Sequence, residues 1–212
     1  MRLITFALIM ISGSATAFAQ LELGVTGGAG LLNSVSVSGT AGSATAGFAP
    51  GPVAGVFAGE PFFHSNNFSG EVRYEYMQSD LRLSSAGQTA QFSGVSHAIH
   101  YDFLYRTDLK ESRMQFFGAL GGGVKVFSGT GAEAAYQPLS QFGYFTKTSM
   151  LKPMATAGAG VVFTLAPKLR LRVEVRDFIT GFPTSVLTPA PGVKFGSLLN
   201  EIVPMVSLVY AK

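Results

Sequence analysis

The residues best suited to chemistry are His100 and Asp102, which lie two positions apart in the segment His-Ala-Ile-His-Tyr-Asp. Residues two apart in an extended strand point to the same face, so this imidazole and this carboxylate can share a proton. Nucleophilic catalysis also requires a nucleophile, and none is identifiable on the same face. We therefore expect no catalytic residue and interpret the pair as part of an internal polar network, with acid-base catalysis as the less favoured alternative.

Metal and phosphate chemistry have weaker candidates. His97 and His100 are three positions apart, which on a strand sends their side chains to opposite faces and excludes a metal pair. The segment Gly121-Gly-Gly-Val-Lys125 places glycines near a lysine but lacks the spacing and the Ser/Thr of a P-loop. We expect no metal and no cofactor, and we interpret these glycines as strand positions that let neighbouring residues pack.

Charged and apolar residues alternate in three segments of the chain. The clearest is Leu169–Phe178, Leu-Arg-Leu-Arg-Val-Glu-Val-Arg-Asp-Phe, and the segments around Arg73 and Asp102 have the same pattern. An extended strand sorts such a run into an apolar face and a charged face. The charged positions that share a face within their segments are Glu71, Arg73, Glu75, His100, Asp102, Arg106, Arg170, Arg172, Glu174 and Arg176.

The N-terminus has the pattern of a secretory signal peptide. Arg2 precedes the apolar run Leu3–Ile11, and Ala17-Phe-Ala19 forms an A-x-A cleavage site before Gln20. We predict cleavage between Ala19 and Gln20, so that residues 1–19 are the signal peptide and residues 20–212 are one domain. No other stretch reaches the roughly 18 apolar residues of a membrane-spanning helix, so we do not expect a helical membrane protein.

The composition favours a membrane barrel over a soluble domain. Only 13% of the residues are charged, against about 25% in soluble domains, while 47% are hydrophobic. The chain has 26 Gly and 18 Phe, which suit close strand packing and a membrane interface, and it has no Cys. The net charge of +3 is spread along the chain, so we expect no nucleic-acid partner.

Eight segments have strand character, by alternation or by their content of β-branched and aromatic residues. The predicted strands are Leu21–Leu32, Pro52–Gly59, Phe68–Leu83, Gln91–Arg106, Arg113–Ser128, Lys152–Leu165, Lys168–Thr180 and Asn200–Ala211.

The linkers between these strands alternate in length, and the longer ones follow the first, third, fifth and seventh strands. In an up-and-down sheet all of them lie on one side, as in outer-membrane barrels, with both termini on the other, periplasmic side. Their Gly, Ser, Ala, Thr and Pro content predicts mobile loops. In the linker before the sixth strand, Phe142, Tyr144 and Phe145 either contact a partner or lipid headgroups, or continue strands above the membrane.

Energetics decides which face of these strands contacts lipid. An arginine such as Arg172 costs up to about 2–4 kcal/mol near the bilayer midplane, so the charged face must point inward. The inward cations roughly balance the inward carboxylates, as a buried network requires. Gly158 and Gly160, next to the arginine-rich strand, leave room for guanidinium groups. The ten charged positions are therefore predicted to form a structural network inside the barrel.

These features together resemble the OmpA-like and OmpX-like family of small eight-stranded outer-membrane barrels. The resemblance covers residues 20–212 by pattern and implies an all-β, eight-stranded antiparallel up-and-down transmembrane β-barrel in the bacterial outer membrane. It also implies contact with outer-membrane lipids and lipopolysaccharide, insertion by the barrel assembly machinery, and a monomer. Members commonly end in an aromatic residue, whereas Tyr210 is followed by Ala211 and Lys212. Unlike full-length OmpA-type proteins, this chain is expected to lack a separate peptidoglycan-binding domain.

The predicted function is a structural or adhesive envelope role exerted through long extracellular loops. One alternative is a lipid A-modifying enzyme, because Phe63-His-Ser-Asn66 is loosely similar to the His-x-Ser-Asn motif of PagL-type deacylases, with Glu75 as acidic partner. Since His64 and Ser65 are adjacent and fall in a predicted periplasmic turn, an ordinary turn is favoured. A second alternative is a narrow channel for small solutes. A soluble exported barrel of the lipocalin type is the structural alternative.

Overall fold

A computed structural model describes residues 21–32, 34–62, 67–107, 113–129 and 137–212. The predicted signal peptide and its cleavage site at Ala19 and Gln20 lie outside the described residues, as does the His64-Ser65 pair. Within the described ranges the regular secondary structure is β-strand throughout. No helix in this part of the chain is long and apolar enough to cross a membrane.

In the described ranges, fifteen strands form three sheets. Eight of them close into an antiparallel barrel. These barrel strands are β1 (Glu22–Leu32), β4 (Gly51–Pro61), β5 (Phe68–Gln78), β8 (Gly94–Arg106), β9 (Met114–Gly129), β11 (Ser149–Ala166), β12 (Leu169–Gly181) and β15 (Leu198–Ala211). The other seven are β2 (Val35–Gly39), β3 (Gly42–Phe48), β6 (Leu81–Ser85), β7 (Gln88–Phe92), β10 (Gly143–Phe145), β13 (Leu187–Pro189) and β14 (Lys194–Phe195).

The barrel has up-and-down connectivity. Each barrel strand pairs with the barrel strands before and after it in sequence, and β1 closes the cylinder by pairing with β15, where Leu23 faces Tyr210. The seven additional strands all fall in the connections at one end, which we call the cap end. The other end, with the tight β11–β12 turn at Pro167, is the short-turn end. The predicted eight-stranded antiparallel fold is therefore confirmed.

Alternation sorts the barrel residues into two environments. Apolar side chains on the outer face are largely exposed, including Val72 at 53%, Phe103 at 62% and Leu120 at 67%. Charged side chains between them are buried, and Arg73 and Arg176 are both 0% exposed. The outer face is thus apolar and the inner face charged, the reverse of a soluble protein.

The long linkers form a folded cap, which corrects the prediction of mobile loops. The Ser38–Gly47 stretch lies in the β2–β3 hairpin, and β14, β2, β3, β6 and β7 form one five-stranded sheet. The β6–β7 hairpin turns through Ala86 and Gly87, whose φ angles of +48° and +81° match a two-residue turn with both central residues left-handed. The predicted third and fourth strands, Phe68–Leu83 and Gln91–Arg106, are each divided between barrel and cap.

The cap has its own hydrophobic core, built from all four connections at that end. The rings of Phe48 and Phe127 stack with centroids 5.4 Å apart, and those of Phe92 and Phe145 with centroids 4.6 Å apart. Phe142 and Phe145 are buried, and β10 pairs with β13, so two of the three loop aromatics belong to this core. Further buried members are Val35, Val37, Leu81, Leu83, Leu139, Phe182, Val186, Leu187 and Leu199.

Candidate functional site

The barrel interior holds a continuous network of ion pairs. At its centre, Glu71 accepts hydrogen bonds from three guanidinium groups, with Arg73 Nη1 at 2.9 Å, Arg172 Nη1 at 2.8 Å and Arg176 Nη2 at 2.9 Å. Glu174 accepts from Arg73 at 2.8 Å and from Arg176 Nε at 2.9 Å. Each of these five side chains is at most 2% exposed, so each charge depends on its partners rather than on water.

His100 lies between two carboxylates in this network. Its Nε2 is 2.9 Å from Glu75 Oε2, and its Nδ1 is 3.0 Å from Asp102 Oδ2. Asp102 also accepts a hydrogen bond from the Thr156 hydroxyl at 2.5 Å and pairs with Arg176. His100, Glu75 and Asp102 are at most 2% exposed, so the imidazole is enclosed with its two carboxylate partners inside the barrel.

A second cluster lies at the short-turn end of the interior. Glu22 accepts two hydrogen bonds from Arg106, at 2.8 Å from Nη1 and 2.5 Å from Nη2, in a bidentate pair. Arg170 also pairs with Glu22, and its side chain is 29% exposed. We call Glu22, Arg106 and Arg170 the charged rim. All ten charged positions singled out in the sequence therefore point inward, eight of them into the central network and two, Arg106 and Arg170, into the charged rim.

Aromatic rings support the buried guanidinium groups. The Arg73 and Arg172 carbons Cζ both lie 4.6 Å from the ring centroid of Phe57, and Arg172 also lies 5.0 Å from Phe117. A ring face attracts a desolvated cation. Both cations thus contact the same phenyl ring, and both pair with Glu71.

Glycines provide the space that these side chains occupy. A Cβ at Gly158 would lie 2.9 Å from Arg176 Cγ, and one at Gly121 would lie 2.1 Å from Asp102 Oδ1. Small residues on β9 and β11 are therefore needed where Arg176 and Asp102 fill the lumen.

The lumen is closed above the network. An apolar layer that includes Met77, Phe178 and Val203 crosses it, with each of these three side chains at most 1% exposed. Beyond that layer Lys125 pairs with Glu201, and its Nζ also lies 3.2 Å from Met77 Sδ. The cap core follows. The ion-pair network, the apolar layer, the Lys125–Glu201 pair and the cap core thus follow one another along the described interior.

Three charged interior residues were missed by the sequence prediction, namely Glu22, Lys125 and Glu201. Each is the one charged residue on its strand, so it lacks the repeated alternation that marked the other ten. The alternation was nevertheless present, because Leu23 and Val25, one and three positions after Glu22, are exposed on the outer face.

The other chemical candidates do not assemble into a reactive site in the described part of the chain. His97 points to the outer face, where Nδ1 lies 2.8 Å from the Tyr74 hydroxyl, opposite to His100. No group of three or more His, Cys, Asp and Glu side chains within the described ranges has the geometry to hold a metal ion. The Phe63–Asn66 motif lies outside those ranges.

A closed eight-stranded barrel with an apolar exterior and a charged, filled interior is the fold of the small outer-membrane barrel proteins. The similarity of this chain to two solved structures supports the assignment of its fold to this class. Neisserial surface protein A aligns with a TM-score of 0.55 at 12% identity, covering 90% of this chain and 96% of that chain. The outer membrane protein OprG from Pseudomonas aeruginosa aligns with a TM-score of 0.57 at 12% identity, covering 90% and 95%.

At this identity the likeness shows a shared fold. It confirms the predicted resemblance to eight-stranded outer-membrane barrels. No protein-family model and no curated protein sequence matches this chain.

Proposed function

We propose that this protein is inserted in the bacterial outer membrane and has a structural or adhesive role, with its folded cap presented at the cell surface. The observation that carries the proposal is the cap itself, a five-stranded sheet over a closed barrel with a core drawn from all four connections. A preformed surface of this kind binds a partner without the entropic cost of ordering loops.

The outer face of the cap sheet is rich in hydroxyl groups. Ser36 and Thr45 on β2 and β3 are exposed and face away from the buried Val37 and Ala46. Thr45 lies beside Ser84 of β6 in the sheet register. Such a surface offers hydrogen-bond donors and acceptors together with two exposed cations, Arg82 and Lys194, which suits contact with polar surfaces or with the sugars of lipopolysaccharide.

Membrane location rests on the exposed apolar band and on the fold. Side chains such as Val72, Phe103 and Leu120 have no place on a soluble barrel of the lipocalin type, since a continuous apolar belt in water promotes association. Outer-membrane lipids and the barrel assembly machinery are the partners that this location implies. Fractionation tests it: we expect the protein in the outer-membrane pellet, and recovery in the periplasmic extract would contradict the proposal.

The adhesive role is tested with cells that display the protein. Thr45→Arg places a long cation at the centre of the cap sheet, whereas Thr164→Arg makes the same change at the short-turn end. We expect adhesion of expressing cells to coated surfaces to exceed that of empty-vector cells, and Thr45→Arg alone to reduce it. Equal adhesion of wild-type and empty-vector cells, at equal surface expression, would reject the adhesive role.

A conducting role is disfavoured by the filled lumen. The central ion pairs, the Met77 and Phe178 layer and the cap all lie across the path. We therefore expect no stepwise conductance from purified protein in a planar bilayer. Regular conductance steps would show that the interior opens and would favour the channel alternative.

A further inference from the structure

A polar cavity of about 470 Å³ opens at the short-turn end of the barrel. It is lined by residues of different strands, among them Ser69 of β5, Arg106 of β8 and Arg170 of β12, and by Lys168 in the β11–β12 turn. The charged rim around Glu22 forms its floor. The cavity is separate from the cap, at the opposite end of the molecule.

Two residues that line this cavity each carry a buried hydrogen-bonding atom with no partner among the described residues, Ser69 Oγ and Arg106 Nε. Ser69 is 7% exposed and Arg106 is 8% exposed. Arg106 uses Nη1 and Nη2 on Glu22, and Nε is its one nitrogen without an acceptor among the described residues. Buried polar atoms are nearly always paired, so two unpartnered atoms on residues that line one cavity point to a ligand with acceptor atoms.

The charge of the lining gives the chemistry of that ligand. Arg106 and Arg170 share the single carboxylate of Glu22, and Lys168 is exposed at the edge of the cavity. Lys212 adds a further cationic side chain to the lining. Cationic side chains thus outnumber carboxylate side chains, in contrast to the central network, so the cavity attracts an anion.

We infer that this cavity binds a phosphate group. Donors approach from β5, β8, β12 and the β11–β12 turn, so they surround a ligand rather than face it from one side. A tetrahedral anion presents oxygens in several directions, which suits this arrangement better than a planar carboxylate does. Guanidinium and ammonium groups are the side chains that proteins use most for phosphate. The source is either free phosphate or the phosphate of a lipid headgroup.

The test is isothermal titration calorimetry of the full-length folded protein in detergent micelles, at constant ionic strength. Inorganic phosphate and glycerophosphoglycerol, a phosphodiester headgroup without acyl chains, are titrated separately. We expect one site per chain. Binding of both probes assigns the site to phosphate groups including those of headgroups, whereas binding of inorganic phosphate alone assigns it to the free anion. Heat from neither probe overturns the inference.

Matched variants locate the binding to the cavity. Ser69→Ala removes an orphan donor without adding bulk, and we expect about tenfold weaker binding, as for one hydrogen bond to a charged group. Lys168→Gln, at an exposed turn position, should weaken binding about threefold. Ser36→Ala and Lys194→Gln make the same changes at the cap end and should leave binding unchanged. If the two cap variants weaken binding as much as the two cavity variants do, phosphate does not bind in this cavity, and the inference is overturned.

The phosphate site and the adhesive cap are tested independently. Thr45→Arg should leave phosphate binding unchanged, and Ser69→Ala should leave adhesion unchanged. Circular dichroism on each variant verifies that the barrel is folded, so that lost binding is not mistaken for unfolding.

Discussion

Arg73 donates from Nη1 to Glu174 Oε1 over 2.8 Å and so joins two strands on opposite sides of the barrel. Arg73 lies on β5 and Glu174 on β12, which are four strands apart in either direction around the cylinder. A second pair joins the same two strands with the charges exchanged, because Arg172 lies on β12 and its partner Glu71 lies on β5. These cross-lumen pairs connect walls that share no backbone hydrogen bonds.

Removing one carboxylate of this cross-link should be costly. We expect Glu174→Gln to lower the free energy of unfolding by about 3–5 kcal/mol, because Arg73 and Arg176 both lose a charged partner in a dry interior. Urea unfolding from phospholipid vesicles, followed by far-ultraviolet circular dichroism, measures the effect. Glu60→Gln, on the exposed outer face, is the matched control and should change stability by no more than about 0.5 kcal/mol. Equal effects of the two variants would show that the network contributes little.

The glycines beneath the arginines give a second prediction. Gly158→Ala places a Cβ 2.9 Å from Arg176 Cγ and should cost about 1–3 kcal/mol, since Arg176 cannot withdraw without breaking its ion pairs. A Cβ at Gly118 on β9 meets no atom within 4 Å, so Gly118→Ala should be nearly neutral. The same unfolding assay compares them. A neutral Gly158→Ala would mean that the Arg176 side chain shifts freely.

Disruption of the cap core should unfold the cap before the barrel. Leu83 on β6 is 0% exposed, and Leu83→Ala is expected to cost about 2–5 kcal/mol of local stability. Limited proteolysis with mass spectrometry should show faster cleavage near the Ala86–Gly87 turn while the barrel strands stay protected. Ser84→Ala, whose hydroxyl only contacts Thr89 at the surface, is the control. Unchanged cleavage in Leu83→Ala would argue against a cooperative cap.

Much of the barrel was predictable because strand periodicity is a local property. The alternation around Arg172 assigns each side chain to one of two faces, and the cost of a charge in lipid decides which face is inside. The pairing itself was not predictable. That Arg73 contacts Glu174 depends on barrel closure and strand stagger, which bring together residues 101 positions apart.

The cap was missed for a related reason. The alternation Val35-Ser-Val37-Ser was present, but Gly, Ser and Ala dominate the linker, and such composition is typical of loops. Its strands are stable only because Phe48 and Phe145, from two different connections, pack in one core with Phe127 at the end of the barrel strand β9. Such non-local cores leave little trace in any single segment.

The orientation of the outer face gives the last prediction. Val173 on β12 is 43% exposed and lies between Val161 and Val206 on the neighbouring strands. In vesicles, Val173→Lys should lower the free energy of unfolding by about 2–4 kcal/mol, because the ammonium group enters the hydrocarbon layer. Ser36→Lys, which adds the same charge on the cap, should change stability by about 0.5 kcal/mol or less. If Val173→Lys is as well tolerated as Ser36→Lys, the outer face contacts water, and a soluble exported barrel explains the fold better than a membrane protein.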